Sequence, residues 1–119
     1  MTGKLTTHVL DTAQGKPGAG IKIELFQISL SQNAKLIKTL TTNADGRTDQ
    51  PLLESSEMAK GTYELRFAMG DYFTKRADAL PDPLFLNIIP IRFSIADANE
   101  HYHIPLLCSP WSYSTYKGS

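Results

Sequence analysis

Three histidines, one arginine after a tight turn and a hydroxyl-rich C-terminal run are the residues of this chain whose types could do chemistry. His101 and His103 stand two positions apart in "HYHIPLL". On an extended strand that spacing puts both rings on one face, with backbones roughly 6–7 Å apart. Imidazole titrates close to neutrality, so such a pair suits general acid–base work on water. With His8 the pair could also furnish three ligands to a catalytic zinc. No Asp, Glu or Cys stands at a spacing that would support a metal, so none is expected. Taken alone, His8 reads as a hydrogen-bonded surface residue rather than a catalyst, and His101 as a structural or partly exposed residue. Arg47 closes the turn sequence "NADGR". Its planar, permanently charged guanidinium suits a carbonyl or an anionic heterocycle, although a solvated arginine after a hairpin has the same local sequence. Cys108, between Leu107 and "SPW", reads as a buried, inert thiol. Ser109, Ser112 and Ser114 lack any nucleophile-turn motif around them.

Short alternating strands must position these groups. "IKIELF" puts Ile21, Ile23 and Leu25 on one side, "TYELRFAM" does so with Tyr63, Leu65, Phe67 and Met69, and "IRFSIA" with Ile91, Phe93 and Ile95. Period two over such lengths predicts half-buried strands. Turn signals at 11–20, 43–47, 60–61 and 80–83 separate them. Only "GDYFTKRADAL" could hold a helix, a short one stopped by Pro81. The pattern predicts an all-β antiparallel sandwich. The same parity assigns Leu5, Thr7 and Val9 to one face of the first strand and Thr6, His8 and Leu10 to the other. Near the C-terminus Tyr102, Ile104 and Leu106 take the apolar face, which turns His101 and His103 outward. An outward site on a flat sheet is not a pocket. Either these histidines are plain surface residues or another subunit covers them, and a covering subunit would also account for the aromatic C-terminus.

Composition narrows the function classes. The 119 residues carry 12 basic and 12 acidic side chains, so no net charge or basic cluster favours nucleic acid or an anionic membrane. No apolar run approaches a membrane span, and "MTGKLTTHVL" lacks a signal peptide's apolar stretch. One cysteine excludes an internal disulfide and fits a reducing compartment, so a cytoplasmic location is expected. A single domain over 1–119 is expected from the length.

Several stretches together carry a resemblance: "LTTHVLDTAQGKPGAGIKIELF", "NADGRTDQPLL", "GTYELRF", "FLNIIPIRFSI" and "HYHIPLLCSPWSYSTYKGS". End to end, the chain resembles the transthyretin-related 5-hydroxyisourate hydrolases. The resemblance implies a transthyretin-like β-sandwich of two four-stranded sheets with one short helix, assembled as a homotetramer, a dimer of dimers, with sites at the subunit interface. It implies hydrolysis of 5-hydroxyisourate to 2-oxo-4-hydroxy-4-carboxy-5-ureidoimidazoline in urate degradation, with no cofactor. The family's site residues fall on His8, Arg47, His103 and the closing tetrapeptide Tyr116, Lys117, Gly118 and Ser119. His103 is then the expected general base, His8 orients water or shuttles the proton, and Arg47 binds ring oxygens and the developing oxyanion. Ser119 helps place water or ring, and Tyr116 holds the tail. The family tetrapeptide has arginine where this chain has Lys117, which keeps the charge and loses the planar fork. The alternative is a non-catalytic transthyretin-like module that binds a small molecule or a protein.

Overall fold

A computed structural model describes residues 3–76 and 79–118. Among the described residues, nine strands and one α-helix follow in the order β1 (Lys4–Asp11), β2 (Lys16–Pro17), β3 (Lys22–Ile28), β4 (Ala34–Thr41), β5 (Leu53–Glu54), β6 (Gly61–Ala68), α1 (Met69–Thr74), β7 (Ile88–Ile95), β8 (His101–Cys108) and β9 (Tyr113–Thr115), with a single 3-10 turn (Ser55–Glu57) after β5. They form a sandwich. One sheet has the order β2-β1-β8-β9 with β5 also paired to β1, and the other has the order β4-β3-β6-β7.

Alternation decides which side chains the two sheets bury against each other. Leu5 and Val9 of β1, Ile23 and Leu25 of β3, Leu65 and Phe67 of β6, and Leu106 of β8 have no exposed surface. Each such side chain stabilises the fold by about 1.5–3 kcal/mol relative to exposure. Thr7 shares the inward face of β1 and is satisfied there, its hydroxyl donating to the Ile104 carbonyl at 2.6 Å. Parity places Tyr102, Ile104 and Leu106 inward, and His101 and His103 are half-buried on the opposite face. Glu64 is an exception to simple alternation. It lies on the polar side of β6 yet is only 7% exposed, held between Arg66 at 2.7 Å and Arg92 at 2.9 Å.

One strand pair departs from the antiparallel rule. β1 and β8 run parallel, with Thr6 opposite His103 and His8 opposite Pro105. A parallel ladder keeps its register evenly spaced along the strands, so the outward face of β1 is laid directly beside the outward face of β8. The α1 helix is tied to the end of β1 by a buried bond, Tyr72 Oη donating to Asp11 Oδ2 at 2.7 Å. The other Asp11 oxygen accepts from the Ala13 and Gln14 amides.

Candidate active site

The site grows from the β1–β8 pair and the turn that leans on it. In that turn Asn43 Oδ1 accepts the Asp45 and Arg47 amides at 2.9 and 3.2 Å, an Asx arrangement that makes asparagine the natural residue there. Gly46 follows with φ +77° and offers its carbonyl to the Val9 amide at 2.8 Å. A Cβ on Gly46 would collide with the Val9 carbonyl oxygen, so glycine is required both for its backbone angle and for close approach. The turn is thereby stapled to β1 next to the His8 ring, and Arg47 is held over the outward face of the sheet.

The sheet floor and this turn wall enclose an open cavity of about 480 Å³, lined among others by Lys4, Thr6, Arg47, Asp49, His101 and His103. That is the size range of small-molecule sites. A single chain is therefore concave where parity alone suggests a flat face, because residues 47–51 rise beside the strands. At its floor one hydroxyl serves two imidazoles: Thr6 Oγ1 lies 2.8 Å from His101 Nε2 and 2.8 Å from His103 Nδ1. The two rings are 6.2 Å apart between centroids. Burial pushes the His103 imidazole below the ordinary histidine range, and Arg47, His101 and His8 add to the same effect. Burial and then Lys4 push His101 in the same direction. Both rings are thus held towards the neutral form, the form that can accept a proton.

The proposed residues are distributed unevenly around this floor. His103 and Arg47 line the cavity together. His8 is half-buried one step along the same face, its ring beside Gly46 and near enough to act on the His103 charge. Gly118 reaches His103 through its backbone, its amide donating to the His103 carbonyl at 2.7 Å. Lys117 turns away: its ammonium pairs with Glu100 Oε1 at 2.9 Å and stands 5.1 Å from the centre of the Tyr102 ring. Tyr116 is exposed, and both side chains border a smaller, apolar groove of about 210 Å³ between β7 and the tail. Ser119 lies outside the described residues. Among the described residues no three His, Cys, Asp or Glu side chains cluster as a metal ion would need. Cys108 is fully buried, and burial followed by the Asp11 charge pushes its thiol up to about 12.

The HIUase/Transthyretin family matches residues 5–118. The chain belongs to this family. The 5-hydroxyisourate hydrolase 2 of Rhizobium meliloti (strain 1021) is 56% identical over 118 residues, 99% of this chain and 98% of that one. The crystal structure of (S)-allantoin synthase superposes with a TM-score of 0.93 at 43% identity over 99% of this chain. This chain spans 44% of that protein's length. Sea bream transthyretin, in complex with thyroxine, matches with a TM-score of 0.85 over 97% of this chain and 94% of that one, and at 24% identity it supports the fold alone.

In this member of the HIUase/Transthyretin family, Thr6 stands at the centre of the cavity floor although no local motif marks it. Its face was legible from alternation in β1, but its partners were not, because nothing local announces that β1 pairs with β8. Lys4 and Asp49 line the cavity for the same reason: a long-range pairing and a loop crossing bring them there.

Proposed function

We propose that the chain hydrolyses 5-hydroxyisourate, the reaction named for its Rhizobium meliloti relative, at the cavity over β1 and β8. The observation that carries this reading is the floor itself, with two imidazoles on one hydroxyl, both pushed towards the neutral form by burial, beside a guanidinium in a concavity of ligand size. His103 takes a proton from water as the water oxygen bonds to a ring carbonyl carbon. Neutral imidazole is the right base at working pH, since water itself is a poor nucleophile there. The negative charge that builds on the carbonyl oxygen is stabilised by Arg47, a fixed donor that needs no reorganisation. Collapse of the tetrahedral adduct breaks the ring carbon–nitrogen bond, and the proton held on His103 passes to the departing nitrogen. His8 orients the water or shuttles that proton. Ser119 helps to place the water or the ring, Tyr116 holds the tail, and no cofactor takes part.

The assembly belongs to the same proposal. A homotetramer, a dimer of dimers, would cover the outward face that bears the histidines and narrow the open cavity. Its support is the pair of sheet edges β7 and β9, which border one apolar groove and can both be extended by a second copy. Exposed Trp111, Tyr113 and Tyr116 lie in or near the same terminal segment. No described helix is long and apolar enough to cross a membrane, and a cytoplasmic location fits the lone buried thiol.

The test is the disappearance of freshly made 5-hydroxyisourate followed by absorbance, with and without a strong chelator. Turnover that survives chelation is expected. Absence of turnover by a folded tetramer would leave a binding module as the reading, and loss of turnover on chelation would make the histidines metal ligands.

A further inference from the structure

The shared hydroxyl at the floor of the cavity constrains where the histidine protons sit. A threonine hydroxyl has one proton and accepts through its lone pairs. Thr6 Oγ1 is within hydrogen-bond distance of His101 Nε2 and His103 Nδ1 at once. It can donate to only one of them, so at least one ring must carry its proton on the nitrogen facing Thr6. Three arrangements satisfy this. In two of them, Thr6 donating to His101 or accepting from both rings, His103 is protonated at Nδ1 and its Nε2 lone pair is available. In the third, Thr6 donates to His103 and the proton of that ring sits on Nε2, where it cannot act as a base.

We propose that Thr6 is a positioning residue: its hydroxyl accepts from His103 Nδ1–H, with His101 Nε2 anchoring the other side, and so fixes the tautomer that leaves His103 Nε2 free to take the proton of water. The inference rests on the hydrolytic reading above, which names the base but not what orients it. Neutral imidazole by itself prefers the opposite tautomer, with the proton on Nε2, so a base that must present Nε2 needs a partner at Nδ1. A serine-hydrolase aspartate does this for its histidine, and losing that control leaves the ring in the wrong tautomer. Here the partner is neutral. The Nδ1–H to Thr6 bond also persists when Nε2 becomes protonated, so the floor need not rearrange during the transfer. His101 thereby gains a function without touching substrate. Its Nε2 accepts the hydrogen bond that Thr6 O–H donates and keeps the hydroxyl from turning towards His103. Among the described residues, the charged and titratable groups that face this pair are Lys4 and His8 from β1 and Arg47 and Asp49 from the turn and the residues after it.

The experiment reads the imidazole ¹⁵N chemical shifts of His103 in the full-length protein at neutral pH, beside the kinetics of hydrolysis. The unmodified protein is expected to show the Nδ1–H tautomer. Thr6→Val, which keeps the β-branched shape and removes the hydroxyl, is expected to move His103 to Nε2–H and to lower kcat by about 10–100-fold with KM little changed, as losses of orienting partners do. Thr6→Ser should restore both. Nε2–H in the unmodified protein overturns the proposal even if Thr6→Val fails to fold. A tautomer and kcat unchanged in a folded Thr6→Val protein overturn it as well. An unmodified protein without turnover but with the Nδ1–H tautomer, lost in Thr6→Val, refutes the hydrolytic reading and leaves the positioning relationship standing.

Discussion

Gly118 rests against the His103 ring, so closely that a Cβ built on it would stand 2.6 Å from His103 Cδ2 and 3.1 Å from its Cγ. Among the described residues, the tail therefore meets the His103 ring through the backbone of Gly118. Gly118→Ala should push the imidazole off the Thr6 hydroxyl while leaving the sandwich intact. A shift of about 1 Å in a catalytic group can cost up to about 100-fold. We expect kcat to fall by about 10–100-fold with an unchanged unfolding midpoint, and unaltered kcat would mean that the ring tolerates the displacement.

His103→Ala and His8→Ala should each lower turnover by roughly 10²–10⁴-fold, the usual contribution of a proton-transferring group. His101→Ala should cost less than either, because its ring acts through Thr6. Steady-state rates of the three purified variants decide the order. A crippled His101→Ala beside a mild His103→Ala would reverse the assignment.

The pH profile follows from the direction of the His103 shift. The active form is neutral imidazole, so kcat/KM should be flat near neutrality and fall as acid protonates the ring. Burial first, then Arg47, His101 and His8, lower that pKa, so the fall should lie below the free-histidine value of about 6.5. Removing a neighbouring cation by Arg47→Ala should move the limb to higher pH as well as reduce the rate. Stability should follow the same sign. Groups whose folded pKa is depressed bind protons more readily when unfolded, so their contribution is complete above about pH 6.5 and is lost as pH falls through the folded values. Denaturant titrations at a series of pH values check this.

Lys117→Arg should leave kcat/KM within a few-fold of the original. The lysine ammonium is held by Glu100 on an exposed surface, and an arginine at that position can keep the same partner. A large gain would mean that the side chain reaches the substrate in the assembled protein.

Tyr72→Phe should destabilise the fold by about 1.5–3 kcal/mol without a matching loss of kcat. It strips a buried carboxylate oxygen of its donor, and bonds to charged groups are worth that much. Burial and the Asp11 partner push the Tyr72 hydroxyl up to about 12, so it remains a donor across the working range. Thermal unfolding of the variant measures the loss.

Much of this architecture is legible in single strands. The alternation of Ile21, Ile23 and Leu25 shows which face is buried, and the parity of Tyr102 against His101 and His103 shows which way the imidazoles point. Arg47 can be found from the Asn and Gly of its turn, whose side-chain and backbone geometry produce the loop. The β4 strand was less visible, since "AKLIKTLT" keeps only part of its surface from water and shows no clean alternation. The Thr6 bridge was invisible for a different reason. It depends on which strand lies next to which, and period-two patterning carries no information about neighbours. The resemblance to hydroxyisourate hydrolases implies His8, Arg47, His103 and the closing tetrapeptide 116–119 as a set, whereas Thr6 emerges only from the pairing of β1 with β8.

The parallel β1–β8 pair has a consequence for how the protein is made. Thr6 and His103 are 97 positions apart, so β1 meets its central neighbour only after the strands between them have been made. Until then β2 and β5 can engage only the two ends of β1, and the side that β8 will take is an edge open to association with other nascent chains. Contacts of such sequence separation also slow the search for the native state. The benefit lies in quality control: a chain whose β8 has not docked against β1 lacks the Thr6 bridge between the two imidazoles.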